Sequence, residues 1–261
     1  MWHNAAIALP PRTQAQPVNP ILLIPARMAS TRLPSKPLAE IGGVAMIVQV
    51  WRRANEAAIG PVAVACAEPE IARAVEAAGG RAVLTRADHP SGSDRIAEAL
   101  SILDPGGRHD VVVNLQGDLP LIDPAAIKAS LTPLADSPCD IATLCAALEA
   151  NELELTSVVK VKAEFAPGRR IARAIGFSRN AVTPAFHHIG LYAYRRAALT
   201  RFVTLPPSAN EQRENLEQLR ALDAGMRIDV ALVDAVPFGV DTPADLARAR
   251  ALYAARQPAQ P

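Results

Sequence analysis

Three cations follow one short apolar run in this chain, and two aspartates stand far downstream after others. The string Ile21-Leu-Leu-Ile-Pro25 leads into Ala26-Arg27-Met-Ala-Ser30-Thr-Arg32-Leu-Pro34-Ser-Lys36-Pro37. An apolar stretch too short for a helix, ending at a proline and followed by two arginines and a lysine, reads as a buried strand delivering a cationic loop. Arg27, Arg32 and Lys36 call for an anion such as a phosphate chain, and the prolines limit the entropy lost when the loop closes on it. Charge alone leaves a solvated basic loop open as well. The second landmark is Asn114-Leu-Gln116-Gly117-Asp118-Leu-Pro120, where Gly117 permits a tight turn. A carboxylate beside a phosphate-binding loop is repulsive unless a cation lies between them, which points Asp118 to Mg²⁺ held by carboxylate, water and phosphate oxygens. Turn capping is the other role open to it. The third landmark is Gly239-Val-Asp241-Thr242-Pro243. Thr242 can cap the next helix by itself, so Asp241 is free to share that metal or simply to face the helix N-terminus.

Further polar sets lie between and after these. Thr85-Arg86-Ala-Asp88-His89-Pro-Ser91-Gly92-Ser93 ends at a helix start, where amides and hydroxyls can read a flat base and accept phosphate oxygens. His89 has no second His or Cys at ligand spacing and is not assigned to a metal. Arg179 is suited to a bidentate grip on a carboxylate, while His188, Tyr192 and Gln218 offer directional hydrogen bonds to hydroxyls, a set that fits an acidic sugar. Taken singly each can be structural, and Glu217 can pair with Arg220 on its own helix.

The elements that must position these groups follow from periodicity. Strand patterns at 21–25, 61–66, 81–85 and 111–115 alternate with helical patterns near 45–58, from 69 and from 93, which means βαβ units in a largely parallel sheet. Asp123-Pro124 opens a helix expected to run to about 135. Strand-like runs at 140–146, 157–162, 170–176 and 188–194 suggest a smaller antiparallel extension and a candidate dimer surface. A helix over 209–223, a strand over 227–233 and a helix opened by Thr242-Pro-Ala-Asp245 complete the pattern. The expected fold class is α/β, a mainly parallel mixed sheet flanked by helices, as a single domain over 20–256. Residues 1–19, rich in Ala, Pro and Gln, are expected to be a disordered tail, and 257–261 a second tail.

Composition narrows the function. The 261 residues carry a net charge of +1, which gives no general attraction to nucleic acid or to an anionic membrane. No apolar run reaches the roughly 18 residues of a membrane span, and the start lacks a secretory pattern, so a cytoplasmic location is expected. The three cysteines, Cys66, Cys139 and Cys145, show no paired spacing and read as small core residues. No G-x-G-x-x-G follows the first strand and no P-loop occurs, which argues against a nicotinamide dehydrogenase or a P-loop NTPase.

Read together, the motifs resemble a known family. Pro25-Ala-Arg-Met-Ala-Ser-Thr-Arg-Leu-Pro-Ser-Lys-Pro-Leu38 is similar to the signature loop of the sugar-acid cytidylyltransferases, above all the 3-deoxy-manno-octulosonate (Kdo) cytidylyltransferases. TRADHxSGxxR, VNxQGD, FSR, HxGxYxYR, LEQLR and VDTPxDL follow in the family's order, so the likeness runs from about Ile21 to Leu252. The resemblance implies a Rossmann-like nucleotidyltransferase fold, Mg²⁺, a homodimer, and transfer of CMP from CTP to the anomeric hydroxyl of Kdo with release of pyrophosphate. It assigns Ala26, Arg27, Ser30, Lys36, Arg86, Ser91, Gly92, Gln116 and Asp118 to the nucleotide, and Arg179, His188, Tyr192, Glu217 and Gln218 to the sugar. Asp118 and Asp241 would be the metal ligands, and with Arg27 and Lys36 the catalytic set. The chain departs from the family at Leu119, usually Glu, at His187, usually Arg or Lys, and in a short segment from Arg179 to His188. Other sugar acids, UTP, a metal-dependent glycosyltransferase and a nucleotide-binding regulator are the alternatives, the glycosyltransferase lacking its usual D-x-D.

Overall fold

The computed structural model describes residues 18–256, and the expectations for 1–17 and 257–261 lie outside them. Residues 18 and 19 fall within the expected tail, yet Asn19 is tied to the body. Its backbone N–H donates to Asp110 Oδ1 (2.6 Å) and its side-chain amide to the Arg108 carbonyl (2.8 Å).

β1 (Pro20–Ala26) is the apolar run, and its alternate residues enter different cores: Leu22 and Ile24 on one face, Ile21 and Leu23 on the other. A strand covered on both sides needs a continuous apolar sequence rather than an alternating one. β2 (Glu40–Ile41) and β3 (Val44–Ala45) form a small hairpin that periodicity does not reveal. Its two-residue turn, Gly42-Gly43, has φ of 62° and 72°, which glycine tolerates best. α1 (Met46–Glu56), β4 (Val62–Cys66), α2 (Pro69–Ala77), β5 (Arg81–Leu84), α3 (Gly92–Leu103) and β6 (Val111–Asn114) complete the expected βαβ series. β5, β4, β1 and β6 are parallel neighbours in that order. The chain therefore winds away from β1 on one side and returns on the other, so the winding reverses between β1 and β6. That is where an open α/β sheet leaves a crevice beyond its strand ends.

The expected helix over 124–135 is two, α4 (Pro124–Ala129) and α5 (Thr132–Asp136), because Pro133 cannot sit inside a continuous helix. β7 (Ile141–Ala146), β8 (Lys160–Ala163), β9 (Ile171–Ser178) and β10 (Phe186–Arg195) follow, then α6 (Arg196–Thr204), which the sequence pattern did not disclose. The expected helix over 209–223 is also split, into α7 (Ala209–Glu214) and α8 (Gln218–Asp223), with Asn215 in the left-handed region between them. β11 (Ile228–Leu232) and α9 (Pro243–Arg256) end the described chain. The antiparallel strands are not a separate layer; they extend one nine-stranded sheet ordered β5-β4-β1-β6-β10-β7-β11-β9-β8. α1, α2 and α4 cover one face, and α3, α6 and α8 the other. All three cysteines are buried, and no described helix is long and apolar enough to cross a membrane.

A third apolar cluster sits at one end of the sheet. Leu33 from the cationic loop, Leu121 from the loop after β6 and Val240 beside Asp241 pack there with Ile41, Met46, Leu246 and Ala249. The Val240 N–H also donates to the Asp118 carbonyl at 2.9 Å.

β10 slips register against β7 between Ile189 and Tyr192, and Thr143 fills the irregularity. Its Oγ1 lies 3.0 Å from the Ile189 carbonyl, 2.9 Å from the Leu191 carbonyl and 3.1 Å from His188 Nε2. One hydroxyl proton can serve a carbonyl while the oxygen accepts from His188 Nε2–H. Burial lowers the His188 pKa to about 3, the neighbouring His187 acting in the same direction, so the ring is a neutral imidazole. Unfolded histidine titrates near 6.5, so between pH 6.5 and about 3 the unfolded chain binds more protons than the folded one. Stability is unaffected by this group above pH 6.5 and falls as pH drops below it, by up to about 1.4 kcal/mol per pH unit. His188→Asn should flatten the loss of stability between pH 6.5 and 4 in urea titrations; an unchanged slope would show that His188 does not govern it.

Candidate active site

The three landmark loops open on one cleft of about 420 Å³ at the reversal between β1 and β6. Ala26, Arg27, Ser30, Arg32 and Lys36 line it from the loop after β1, Ser91 and Gly92 from the start of α3, Gln116 and Asp118 from the loop after β6, and Asp241 from the segment before α9. Ser35, in the left-handed region (φ 54°), turns the chain into a single 3₁₀ turn, Lys36–Leu38, and so fixes where the lysine departs. Lys36 Nζ donates to Asp118 Oδ2 at 2.9 Å and to Asp241 Oδ1 at 3.0 Å. Arg32 reaches Asp241 Oδ2 at 3.1 Å. Burial works against the Lys36 charge, but Asp118 and Asp241 outweigh it and its pKa is raised. Arg27 has no carboxylate partner among the described residues and stands exposed at the cleft, available to an anion.

The two aspartates therefore converge on a single cation position, held here by an ammonium group. Among the described residues no cluster of three or more His, Cys, Asp or Glu surrounds a common point. Mg²⁺ is ordinarily held by one or two carboxylates, with water and substrate phosphates completing the shell, and this pair of hard oxygen donors beside a cationic loop fits that chemistry.

Gly117 owes its place to space rather than to its φ, which is not positive. A Cβ there would lie 3.0 Å from the Pro25 carbonyl oxygen and 3.2 Å from Ile47 Cδ1, so a side chain would push the Asp118 loop off the end of β1. Ser91 caps α3, accepting the Asp94 N–H at 3.2 Å and donating to Asp94 Oδ2 at 2.6 Å. Gln116 donates to Asn114 Oδ1 at 3.2 Å. The Arg86 side chain lies outside the cleft lining, exposed and 3.7 Å from Asp88. Two polar lining residues, His89 and Arg95, receive no site role from the sequence. His89, passed over as a metal ligand, is buried with its Nε2 against Glu98. Arg95 is buried below the loop; its signal was a cation on the same helical face as Ala99 and Leu103.

Beside this cleft β10 brings up the residues assigned to the sugar. Tyr192 pairs in register with Asn114, two residues before Gln116, and its ring centroid lies 5.7 Å from that of His188. Glu217, just ahead of α8, accepts from Ser93 Oγ at 3.1 Å, and its Oε1 is buried without a partner. Burial raises its pKa despite that hydrogen bond. Gln218 follows it and is buried. Arg179 is placed differently: its guanidinium nitrogens meet the carbonyls of Glu214 (3.1 Å), Thr156 (3.2 Å) and Asn215 (3.5 Å). In this conformation it braces the loop before β8 against the end of α7.

Known proteins resemble this chain in sequence and in fold. A family model described as cytidylyltransferase matches residues 21–228. A 3-deoxy-manno-octulosonate cytidylyltransferase from Methylobacterium radiotolerans is 64% identical over 245 residues, covering 92% of this chain and 98% of the relative. One from Rhodospirillum centenum is 61% identical over 252 residues, covering 95% and 98%. The solved structure of a CMP:2-keto-3-deoxy-manno-octonic acid synthetase complexed with CTP has a TM-score of 0.84 at 41% identity, over 92% of this chain and 100% of that one. A cytidylyltransferase structure from Leptospira borgpetersenii, at 16% identity and a TM-score of 0.62 over 92% of this chain and 89% of its own, shares the fold. With its loops, cleft and full-length likeness in agreement, the chain belongs to the 3-deoxy-manno-octulosonate cytidylyltransferase family.

Proposed function

We propose that this chain transfers CMP from CTP to the anomeric hydroxyl of Kdo, the activation step for lipopolysaccharide assembly. The observation that carries the reading is the convergence of Asp118, Asp241 and Lys36 at 2.9–3.0 Å on the rim of a cleft whose other wall is a cationic loop. It is supported by relatives above 60% identity bearing that name and by a related structure complexed with CTP.

In the reaction the sugar hydroxyl oxygen bonds to the α-phosphorus, the bond from that phosphorus to the bridging oxygen breaks, and pyrophosphate leaves with the electron pair. The hydroxyl proton passes to solvent. Arg27, Arg32, Ser30 and Lys36 neutralise and hold the triphosphate, which lowers the repulsion met by the incoming oxygen. Ser91, Gly92, Gln116 and the backbone at Ala26 face the base and ribose, with Arg86 beside them at the cleft edge, its backbone held by α3. His188, Tyr192, Glu217 and Gln218 orient the sugar so that its hydroxyl lies in line with the α-phosphorus, a contribution of position rather than of bond-making. His188 serves as a neutral hydrogen-bonding ring, in keeping with its lowered pKa. Asp118 and Asp241 would hold Mg²⁺, which supplies charge neutralisation on the phosphates and acidifies oxygens bound to it.

We also place the reaction in the cytoplasm, where nucleoside triphosphates are available, and in a homodimer. Ile175 on β9 and Leu155 in the loop before β8 are exposed by 54% and 46%, which supports pairing through the strand-rich region at 140–195.

Pyrophosphate release should require CTP together with Kdo, with UTP and other sugar acids turned over far more slowly. Chelation should abolish it and Mg²⁺ restore it. Asp118→Asn and Asp241→Asn should each cut kcat by about 10²-fold or more at unchanged circular dichroism, the scale of losing a charge-stabilising group; near-native turnover in either variant would remove that carboxylate from the mechanism. Light scattering should give twice the chain mass for the native protein and the single-chain mass for Ile175→Asp.

A further inference from the structure

α3 covers one face of the sheet, and two of its charged side chains also hold a single residue of the neighbouring loop. Glu98 Oε2 accepts the Arg86 backbone N–H at 3.1 Å, and Arg95 NH1 donates to the Arg86 carbonyl at 3.1 Å. The same Arg95 nitrogen donates to Thr85 Oγ1 at 2.7 Å, and the same Glu98 oxygen meets His89 Nε2. Both polar groups of the Arg86 backbone are thus fixed by one helix, and the far end of the loop is fixed by Ser91 capping that helix. Between these anchors, His89 and Ser91 border the cleft.

Arg95 itself is unusual. It is 2% exposed and has no carboxylate within ion-pair distance among the described residues; its NH2 has no partner at all, yet it lines the cleft floor. A buried cation without an ion pair and with an unused N–H is expensive, and the expense is offset only if something else takes that donor. No acceptor of the described residues lies within hydrogen-bond distance of that N–H; Glu68 Oε2, itself buried and unpartnered, attracts the guanidinium only through space. Its two most influential charged neighbours are Glu68, ahead of α2, and Arg27, in the cationic loop, and Glu68 Oε1 accepts the Met28 N–H of that loop at 3.1 Å. Arg95 therefore stands where the base-side loop and the phosphate-side loop meet.

We propose that Arg95 and Glu98 position the 86–91 loop for the nucleotide, and that the unused N–H of Arg95 receives an acceptor atom of the bound nucleotide. This rests on the reading of the cleft as a CTP site. The expected signature is loss of nucleotide affinity without loss of turnover, because neither residue is hydrogen-bonded to Asp118, Asp241 or Lys36.

The test is calorimetric titration of the full chain with CTP, without sugar, alongside steady-state kinetics. Arg95→Lys keeps the charge but replaces the planar fork with a single nitrogen, so the second nitrogen that carries the unused N–H is lost, and it should raise the CTP Kd and KM about tenfold or more, one charge-assisted hydrogen bond being worth that much. Its kcat should stay within about threefold and its KM for Kdo should not move, by the separation of binding from transition-state effects. Glu98→Gln, which keeps an acceptor oxygen but no charge, should weaken CTP less. Thr85→Val leaves the cleft lining untouched and should still raise the CTP KM about threefold, since it frees the Arg95 fork; it serves if the arginine variant does not fold. An unchanged CTP Kd in a folded Arg95→Lys, or parallel loss of kcat and of sugar KM, overturns the proposal while leaving the enzyme reading intact. Native protein that binds no CTP would overturn both.

Discussion

An ammonium group between two carboxylates joins segments that lie 82 and 205 residues apart in the chain. Lys36, Asp118 and Asp241 are each partly exposed, so ion pairing in that setting contributes modestly by itself. What holds the three in place is apolar and backbone chemistry just behind them. Leu33, Leu121 and Val240 pack into one cluster, and the Val240 N–H is bonded to the Asp118 carbonyl. Each of these residues lies within three positions of a charged one, so the apolar packing dictates the meeting of charges and the charges then select what can bind.

The sheet provides the frame for that meeting. Its parallel half reverses winding between β1 and β6, and both loops that carry the charge leave from those two strands. β10 then runs antiparallel directly beside β6, which sets Tyr192 next to Asn114. The polar residues of the second half thereby adjoin the first, and the link is continued by Ser93 on α3 bonding Glu217 ahead of α8. The groups we assign to the nucleotide and those we assign to the sugar are thereby neighbours in the fold.

Much of this was legible from residue order. The runs at 21–25, 61–66 and 111–115 are continuous because parallel strands are covered on both faces, and the loops after them announce their chemistry through clustered charge or through Gly-Asp. The insertion of β10 between β6 and β7 was not legible, since pairing between distant strands leaves no mark on local periodicity. Pro133 carries a local signal for the break between α4 and α5 that the expected single helix over 124–135 passes over. Gly117 was read as a turn residue, whereas its reason is the closeness of Pro25, a neighbour invisible in a linear string. Arg95 receives no role from the sequence, and Arg179 reads as a fork suited to a carboxylate; their partners place one buried beneath the 86–91 loop and the other on three backbone carbonyls.

The position of Asp241 has a temporal meaning as well. Every strand of the described chain is complete by Leu232, so Asp241 is synthesised after the whole sheet. α9 then seats itself on the far end, with Arg250 bonding the Glu40 carbonyl and Arg256 the Leu121 carbonyl. Translation thus supplies the sheet before Asp241, and the aspartate meets Lys36 only when the segment leading into α9 has been added.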